Sequence, residues 1–156
     1  MEPLRPITVE PCGIAHTPFL KEGDGPIQGI LRPEVEARLE IFPSFAEALD
    51  GLEGYSHLIV LFAFDQIPPE GRRLRVKPYL RDIEIGAFAC CTPRRPSGIG
   101  MDVVRLLRRE GNVLVVAEID MLDGSPILDI RPYVPRFHSR PDAEMGWVEG
   151  RIPERR

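Results

Sequence analysis

The sequence predicts a mainly β fold, a small antiparallel β-barrel with one or two short helices, and three observations predict it. Short apolar, β-branched runs recur along the chain with Gly- and Pro-rich turns between them. Apolar and charged residues alternate from Val35 to Ile41, the period-two pattern of a strand with one wet face. The pair Gly111-Asn112 separates two further runs at hairpin spacing. There is no repeat and no low-complexity tract, and many short strands with tight turns close most simply as a barrel.

In chain order, Ile7-Thr8-Val9-Glu10-Pro11-Cys12-Gly13-Ile14-Ala15 reads as a first strand that ends at the Thr17-Pro18 turn. A Gly/Pro-rich loop follows from Lys21 to Gly29, with too little periodicity for a regular element. After the alternating strand, Pro43-Ser44-Phe45-Ala46-Glu47 predicts a short helix with Ser44 as its N-cap, ending near Gly51. The stretch from Tyr55 to Phe64 is the most continuously apolar of the chain and predicts the central strand, which stops at Asp65-Gln66. Two more strands are expected from Arg73 to Pro78 and from Ile85 to Cys91. Met101 to Arg109 and Val113 to Ala117 form the hairpin, Pro126 to Val134 gives a last strand, and an irregular tail follows from about residue 137.

With 156 residues, 43% hydrophobic and 28% charged, the chain is expected to form a single domain over 1–156. No apolar run is long enough to span a membrane, and Met1-Glu2-Pro3-Leu4-Arg5-Pro6 lacks a signal-peptide pattern, so a cytoplasmic protein is expected. Three cysteines, two of them adjacent, form neither a disulfide framework nor a CxxC metal site. Up to Asp65 four basic residues face eleven acidic ones, whereas the rest carries sixteen basic and thirteen acidic residues. The later part therefore holds the positive surface, and all but Lys21 and Lys77 of its and the chain's cations are arginines, which suit phosphates and stacked bases.

The stretch from Gly86 to Gly100 runs into a loop in which Pro93 and Pro96 fix the backbone and Gly98 and Gly100 permit close approaches, with Arg94 and Arg95 held between them. A stiff loop carrying two guanidiniums suits an anionic or planar partner; a surface turn with solvated arginines is the plainer reading. Gly98-Ile99-Gly100 is no dinucleotide fingerprint, and His16, His57 and His138 stand too far apart for metal spacing, so no metal site is expected. Glu118, Asp120, Asp123 and Asp129 form an acidic set near turns, with turn formation as an equal explanation for Asp120 and Asp123.

Several motifs in fixed order resemble the TsaA-like family, also called YaeB or TrmO. They are Gly13-Ile14-Ala15-His16-Thr17-Pro18, Pro26-Ile27-Gln28-Gly29, Gly51-Leu52-Glu53-Gly54-Tyr55-Ser56-His57-Leu58, the Pro/Arg loop, and Leu122-Asp123-Gly124-Ser125-Pro126 continuing to Pro135. The tail Phe137-His138-Ser139-Arg140 with Gly146-Trp147 fits as well. The resemblance implies a small β-barrel, a homodimer, S-adenosylmethionine bound near the subunit interface, and methylation of N6-threonylcarbamoyladenosine beside the tRNA anticodon. A methyltransferase acting on a small molecule and a binding module without catalysis remain the alternatives.

Carried over to this chain, the resemblance implies a cofactor pocket built from Pro26, Ile27, Gln28, Gly29, Ile30, Leu31, Asp65, Gln66, Phe88, Cys91, Arg95, Met101, Ala117, Glu118, Ile119 and Asp120. A carbamoylated nitrogen is a weak nucleophile, and a carboxylate orienting its N–H would help, with Asp120 and Asp65 as catalytic candidates. Tyr133 is a candidate for stacking on adenine, with a place in the core as the commoner alternative. The chain departs from the family pattern at Cys91, where an arginine is usual, at Ser97-Gly98, at Asp65 in place of a histidine, and in lacking a C-terminal extension. Arg94 and Arg95 are close enough in sequence to Cys91 to substitute for the missing cation.

Overall fold

A computed structural model describes residues 5–80 and 82–153, so the first and last residues of the chain lie outside it. Eight strands form in order: β1 (Gly13–His16), β2 (Glu36–Ile41), β3 (His57–Ala63), β4 (Arg75–Val76), β5 (Ile85–Gly86), β6 (Ile99–Glu110), β7 (Val113–Ala117) and β8 (Pro126–Pro132). Six of them close a barrel in the order β1-β2-β7-β6-β3-β8, every pair antiparallel. The two-residue strands β4 and β5 pair outside it as a small hairpin. Closure leaves no barrel strand with an unpaired edge.

Alternation decides which side chains fill the barrel. Ala37, Leu39 and Ile41 of β2, Leu58, Val60 and Phe62 of β3, and Leu114 and Val116 of β7 all point inward and are almost fully buried. Each large side chain so buried contributes about 1.5–3 kcal/mol. On β6 the inward set is Gly100, Asp102 and Val104. Gly100 is required because a Cβ there would lie 2.3 Å from the Phe62 ring, which fills that space. The β6–β7 turn puts Gly111 at φ 64°, the left-handed region that glycine enters without strain.

Several expected elements are shorter than their composition predicts. The first strand begins only at Gly13: Ile7 and Val9 are 88% and 51% exposed and have no strand beside them. The 73–78 run pairs over two residues, and the 85–91 run turns at once into a 3-10 turn, Ala87–Ala89. The expected helix forms as a 3-10 helix, Pro43–Leu49, but Pro43 is its first residue and Phe42 its N-cap, so Ser44 does not cap it. Proline at the first position presets the backbone there and needs no capped N–H. The tail is mostly irregular, with a short α-helix α1 (Pro135–His138) and a 3-10 turn, Gly146–Val148. No described helix is long and apolar enough to cross a membrane.

Candidate active site

Where β3 ends and β8 begins, a cavity of about 1260 Å³ opens beside the barrel. Its floor is Phe62, Phe64, Met121, Leu122 and Ser125, and one wall is the loop of Pro26, Ile27, Gln28, Ile30 and Leu31. Asp65, Gln66, Cys91, Arg73, Arg94 and Asp120 add polar groups, and the tail closes the far side through Met145, Trp147 and Val148. Trp147 Nε1 donates to the Ala89 carbonyl at 2.6 Å, which ties the tail to the Pro/Arg loop. Gln66 Nε2 donates to the Asp123 carbonyl at 3.1 Å, and Arg94 pairs with Glu22 at 2.7 Å across the rim.

The loop of residues 26–31 is held by a close crossing with the chain leaving β7. Glu118 adopts φ 61°, unusual for a side chain with a Cβ, and its carbonyl lies against Gly29, where a Cβ would come within 2.1 Å of it. The Gly29 N–H reaches the Asp120 carboxyl, and Asp120's own N–H donates to Asp102 Oδ2 at 2.9 Å. Asp102 is 5% exposed and sits inside the barrel behind Asp120. Burial pushes Asp102 up to about 6, opposed by the N–H groups of Asp120 and Val103. Burial, followed by the negative charge of Asp102, pushes Asp120 up to about 8.

Of the sixteen positions expected at the cofactor, nine line this cavity: Pro26, Ile27, Gln28, Ile30, Leu31, Asp65, Gln66, Cys91 and Asp120. Gly29 is buried directly behind them. Ala117 and Ile119 are in the core, and the Glu118 carboxylate turns away from the cavity, 3.6 Å from Arg105 and 4.0 Å from His57. Met101 stands outward on β6, 62% exposed, and Phe88 is 76% exposed with the Arg95 guanidinium 6.0 Å from its ring centre. The two carboxylates expected to act differ, since Asp65 is exposed at the rim and Asp120 is half-buried. Tyr133 packs between His57 and His138 instead of entering the cavity.

Sequence reasoning missed Asp102, and it took the tail with Gly146-Trp147 as part of the resemblance without placing it at the cavity. The inward parity of Gly100, Asp102 and Val104 on one strand was the available signal for Asp102, because a carboxylate on a core-facing position demands a reason. The lone tryptophan was the signal for the tail, since an indole has both a large apolar face and an N–H that seeks a partner.

Residues 14–139 match the tRNA-methyltransferase O N-terminal domain. The chain belongs to this family. It is 42% identical over 146 residues to a probable S-adenosyl-L-methionine-binding protein of Pyrococcus abyssi, covering 94% of this chain and 78% of that one. The tRNA (adenine(37)-N6)-methyltransferase of Escherichia coli is 32% identical over 148 residues, covering 90% of this chain and 63% of that one. The crystal structure of TrmO from Pseudomonas aeruginosa superimposes with a TM-score of 0.81 at 38% identity, covering 96% of this chain and 66% of that one. The present member of the tRNA-methyltransferase O N-terminal domain family thus spans about two-thirds of the length of the bacterial relatives.

Proposed function

We propose that this protein is an S-adenosylmethionine-dependent methyltransferase acting on N6 of adenine in tRNA, with threonylcarbamoylated adenine beside the anticodon as its substrate. The observation that carries the reading is the coincidence of the 26–31 loop and Asp120, both in stretches where the family resemblance assigns the cofactor, in the wall of one large cavity. The residues present fit the cofactor. Ile27, Ile30, Leu31 and Leu122 offer apolar surface for an adenine, Asp65 offers an acceptor for an ammonium or ribose hydroxyl, and Arg94 offers a cation to a carboxylate. Bound there, S-adenosylmethionine supplies an electrophilic methyl group on a sulfonium. The protein's part is alignment: the pinned 26–31 loop and the tied-down tail fix the cavity walls, and Asp120 orients the N–H of the acceptor nitrogen.

Purified protein is expected to melt at higher temperature with millimolar S-adenosylhomocysteine, by about 3–4 kcal/mol of added stability if the ligand exceeds its Kd 100- to 1,000-fold. No shift, together with no heat in titration calorimetry, removes the methyltransferase reading. The acceptor is tested by mass spectrometry of tRNA nucleosides from a strain lacking the gene; an unchanged nucleoside profile counts against tRNA. With tRNA as substrate, its compartment is the cytoplasm.

Arg94, in the cavity wall beside Cys91, is the better substitute for the missing cation than Arg95, which lies over Phe88. Arg94→Ala is expected to weaken S-adenosylhomocysteine binding about ten- to a hundredfold, the loss of a charge-assisted hydrogen bond of roughly 1.5–3 kcal/mol, with Arg95→Ala much milder. Equal losses in both variants, measured by calorimetry, would contradict this assignment.

The same reading includes a homodimer. The outer faces of β3 and β6 carry Ile59, Leu61, Val103, Ile99 and Met101 side by side, the last two 45% and 62% exposed. The closed barrel itself has no edge to extend, so two barrels would meet face to face over such a patch. In that arrangement Met101, Phe88 and Arg95, outside their own subunit's cavity, are available to the partner's. Light scattering is expected to give twice the chain mass and Met101→Glu a monomer; a monomeric parent protein at micromolar concentration excludes the dimer.

A further inference from the structure

We propose that Asp102 and Asp120 act as one proton-sharing pair, and that this pair, carrying a single proton and a single negative charge, takes the proton that leaves the methylated nitrogen. Asp102 is then a positioning residue for Asp120. The inference rests on the methyltransferase reading for the identity of the donor of that proton, but the pair itself stands on this chain's geometry.

Asp102 occupies an inward position of β6 opposite Val60, in a barrel interior otherwise filled by aliphatic and aromatic side chains. A lone carboxylate there would be costly, and no cation is bonded to either Asp102 or Asp120 among the described residues. The N–H of Asp120 donates to Asp102 Oδ2 at 2.9 Å, and the two carboxyls lie within hydrogen-bonding reach of each other. Two carboxyls so close, one of them inside the apolar barrel, retain one proton between them, because the second negative charge would face the first at short range. The N–H groups of Gly29 and Val103 then solvate the remaining charge.

The surroundings leave that balance intact. The 25–31 loop and the facing segment of β3 bring no ionisable side chain to the pair. The chain leaving β7 brings Glu118, whose negative charge raises Asp102 further although its carboxylate lies 3.6 Å from Arg105 and 4.0 Å from His57. Across the cavity the charges are Glu22, Asp65, Arg73, Arg75, Lys77, Glu84, Arg94 and Glu144, with Arg94 paired to Glu22, Arg75 to Glu84 and Lys77 to Asp82.

Only Asp120 of the two reaches the cavity. As the nitrogen lone pair forms the new N–C bond, the S–C electron pair stays on sulfur and the positive charge passes to nitrogen. The N–H proton then moves to the cavity-facing oxygen of Asp120 while the proton Asp120 already holds passes to the Asp102 carboxylate, turning the singly protonated pair into two neutral acids. The pair returns its extra proton to water after the product leaves. Above the upper pKa of the pair, Asp120 and Asp102 are both charged and repel each other; below the lower one the pair has no site for the proton. The methyl-transfer rate is therefore expected to follow a bell in pH, with limbs set by the two titrations.

The test uses protein labelled at the aspartate carboxyl carbons, titrated by NMR from pH 4.5 to 9.5 with and without S-adenosylhomocysteine, alongside the pH profile of methyl transfer to tRNA. Two resonances should titrate in separate steps above the ordinary aspartate range. Asp102→Asn keeps an acceptor for the Asp120 N–H, and in it the upper step should vanish while Asp120 titrates once, at lower pH. The same variant should lose the high-pH limb of the rate profile while still binding S-adenosylhomocysteine. An Asp120 that titrates once, near the ordinary carboxylate range, in the parent protein overturns the pair. Two-step titration with a rate profile that Asp102→Asn leaves unchanged overturns its part in the proton transfer. Two-step titration in a protein that binds the ligand and methylates no RNA instead overturns the proposed function, and the proton-transfer role with it, while the shared proton stands.

Discussion

Gly29→Ala is expected to lower the melting temperature by roughly 6–12 °C and to abolish cofactor binding, although alanine costs nothing in intrinsic backbone preference at this position. The added Cβ would lie 2.1 Å from the Glu118 carbonyl oxygen, 2.3 Å from its carbon and 2.5 Å from the Ile119 nitrogen, all of them backbone atoms. Neither neighbour can retreat easily. Ile119 is fully buried, and Glu118 has its side chain mostly buried, with its carboxylate near Arg105 and His57. The 26–31 loop must lift instead, taking the Gly29 N–H away from the Asp120 carboxyl and one wall away from the cavity. Overpacking and the lost hydrogen bond together cost on the order of 3 kcal/mol, and a domain of this size loses about 2–4 °C per kcal/mol. Gly54→Ala, where nothing lies within 4 Å of the added carbon, is the control. Equal melting and equal binding of S-adenosylhomocysteine by the two variants would show that the crossing yields.

The second large effect is a loss of stability as the pH is raised from about 5 to 8, the reverse of what ion-paired carboxylates give. Burial, joined at Asp120 by the charge of Asp102, pushes the two carboxyls up to about 6 and about 8 in the folded protein, against about 3.9 for an unfolded aspartate. Between these values the folded state holds protons that the unfolded state has lost, so stability must fall with rising pH. The contribution is complete below about 4 and disappears as the pH passes through the two folded values. Each retained proton gives a slope of about 1.4 kcal/mol per pH unit, so the total over the interval is several kcal/mol. The carboxylates with lowered pKa values, Glu34, Glu53 and Glu110, titrate below this window and do not offset it. Melting curves at constant ionic strength check the sign: a melting temperature that is level or rises from pH 5 to 8 contradicts the burial of the pair. Asp102→Asn should flatten the curve.

The parts of the fold that were legible in the sequence are those whose cause is local. The alternation of Ala37, Leu39 and Ile41 with charged residues, the apolar run of β3 and the Gly111-Asn112 turn each carry their own information, and each appears where it was expected. The runs at 7–12 and 87–91 have suitable residues but no partner strand, and the 73–78 run finds one only over Arg75–Val76, because pairing is a property of the whole fold. The same division holds at the site. The 26–31 loop was readable because a resemblance marked it, whereas the turning outward of Glu118 depends on one positive φ that composition does not announce. Phe62 was visible as apolar, but its service as cavity floor follows from the empty Cβ position of Gly100 across the strand pair. Asp102 was visible as an acid, and its meaning comes only from facing Asp120.

Barrel closure has a consequence for how the chain is born. The seam is made by β8, which lies between β1 and β3, so Gly13 pairs with Ile127 and Leu58 with Pro132. As the chain leaves the ribosome, β1 and β3 each keep one bare edge until β8 (Pro126–Pro132) has been synthesised. Contacts spanning more than a hundred residues are entropically late, and folding dominated by them is slow. The nascent chain therefore spends its synthesis with open strand edges that other chains can occupy, and the final strand ends that exposure in one cooperative step.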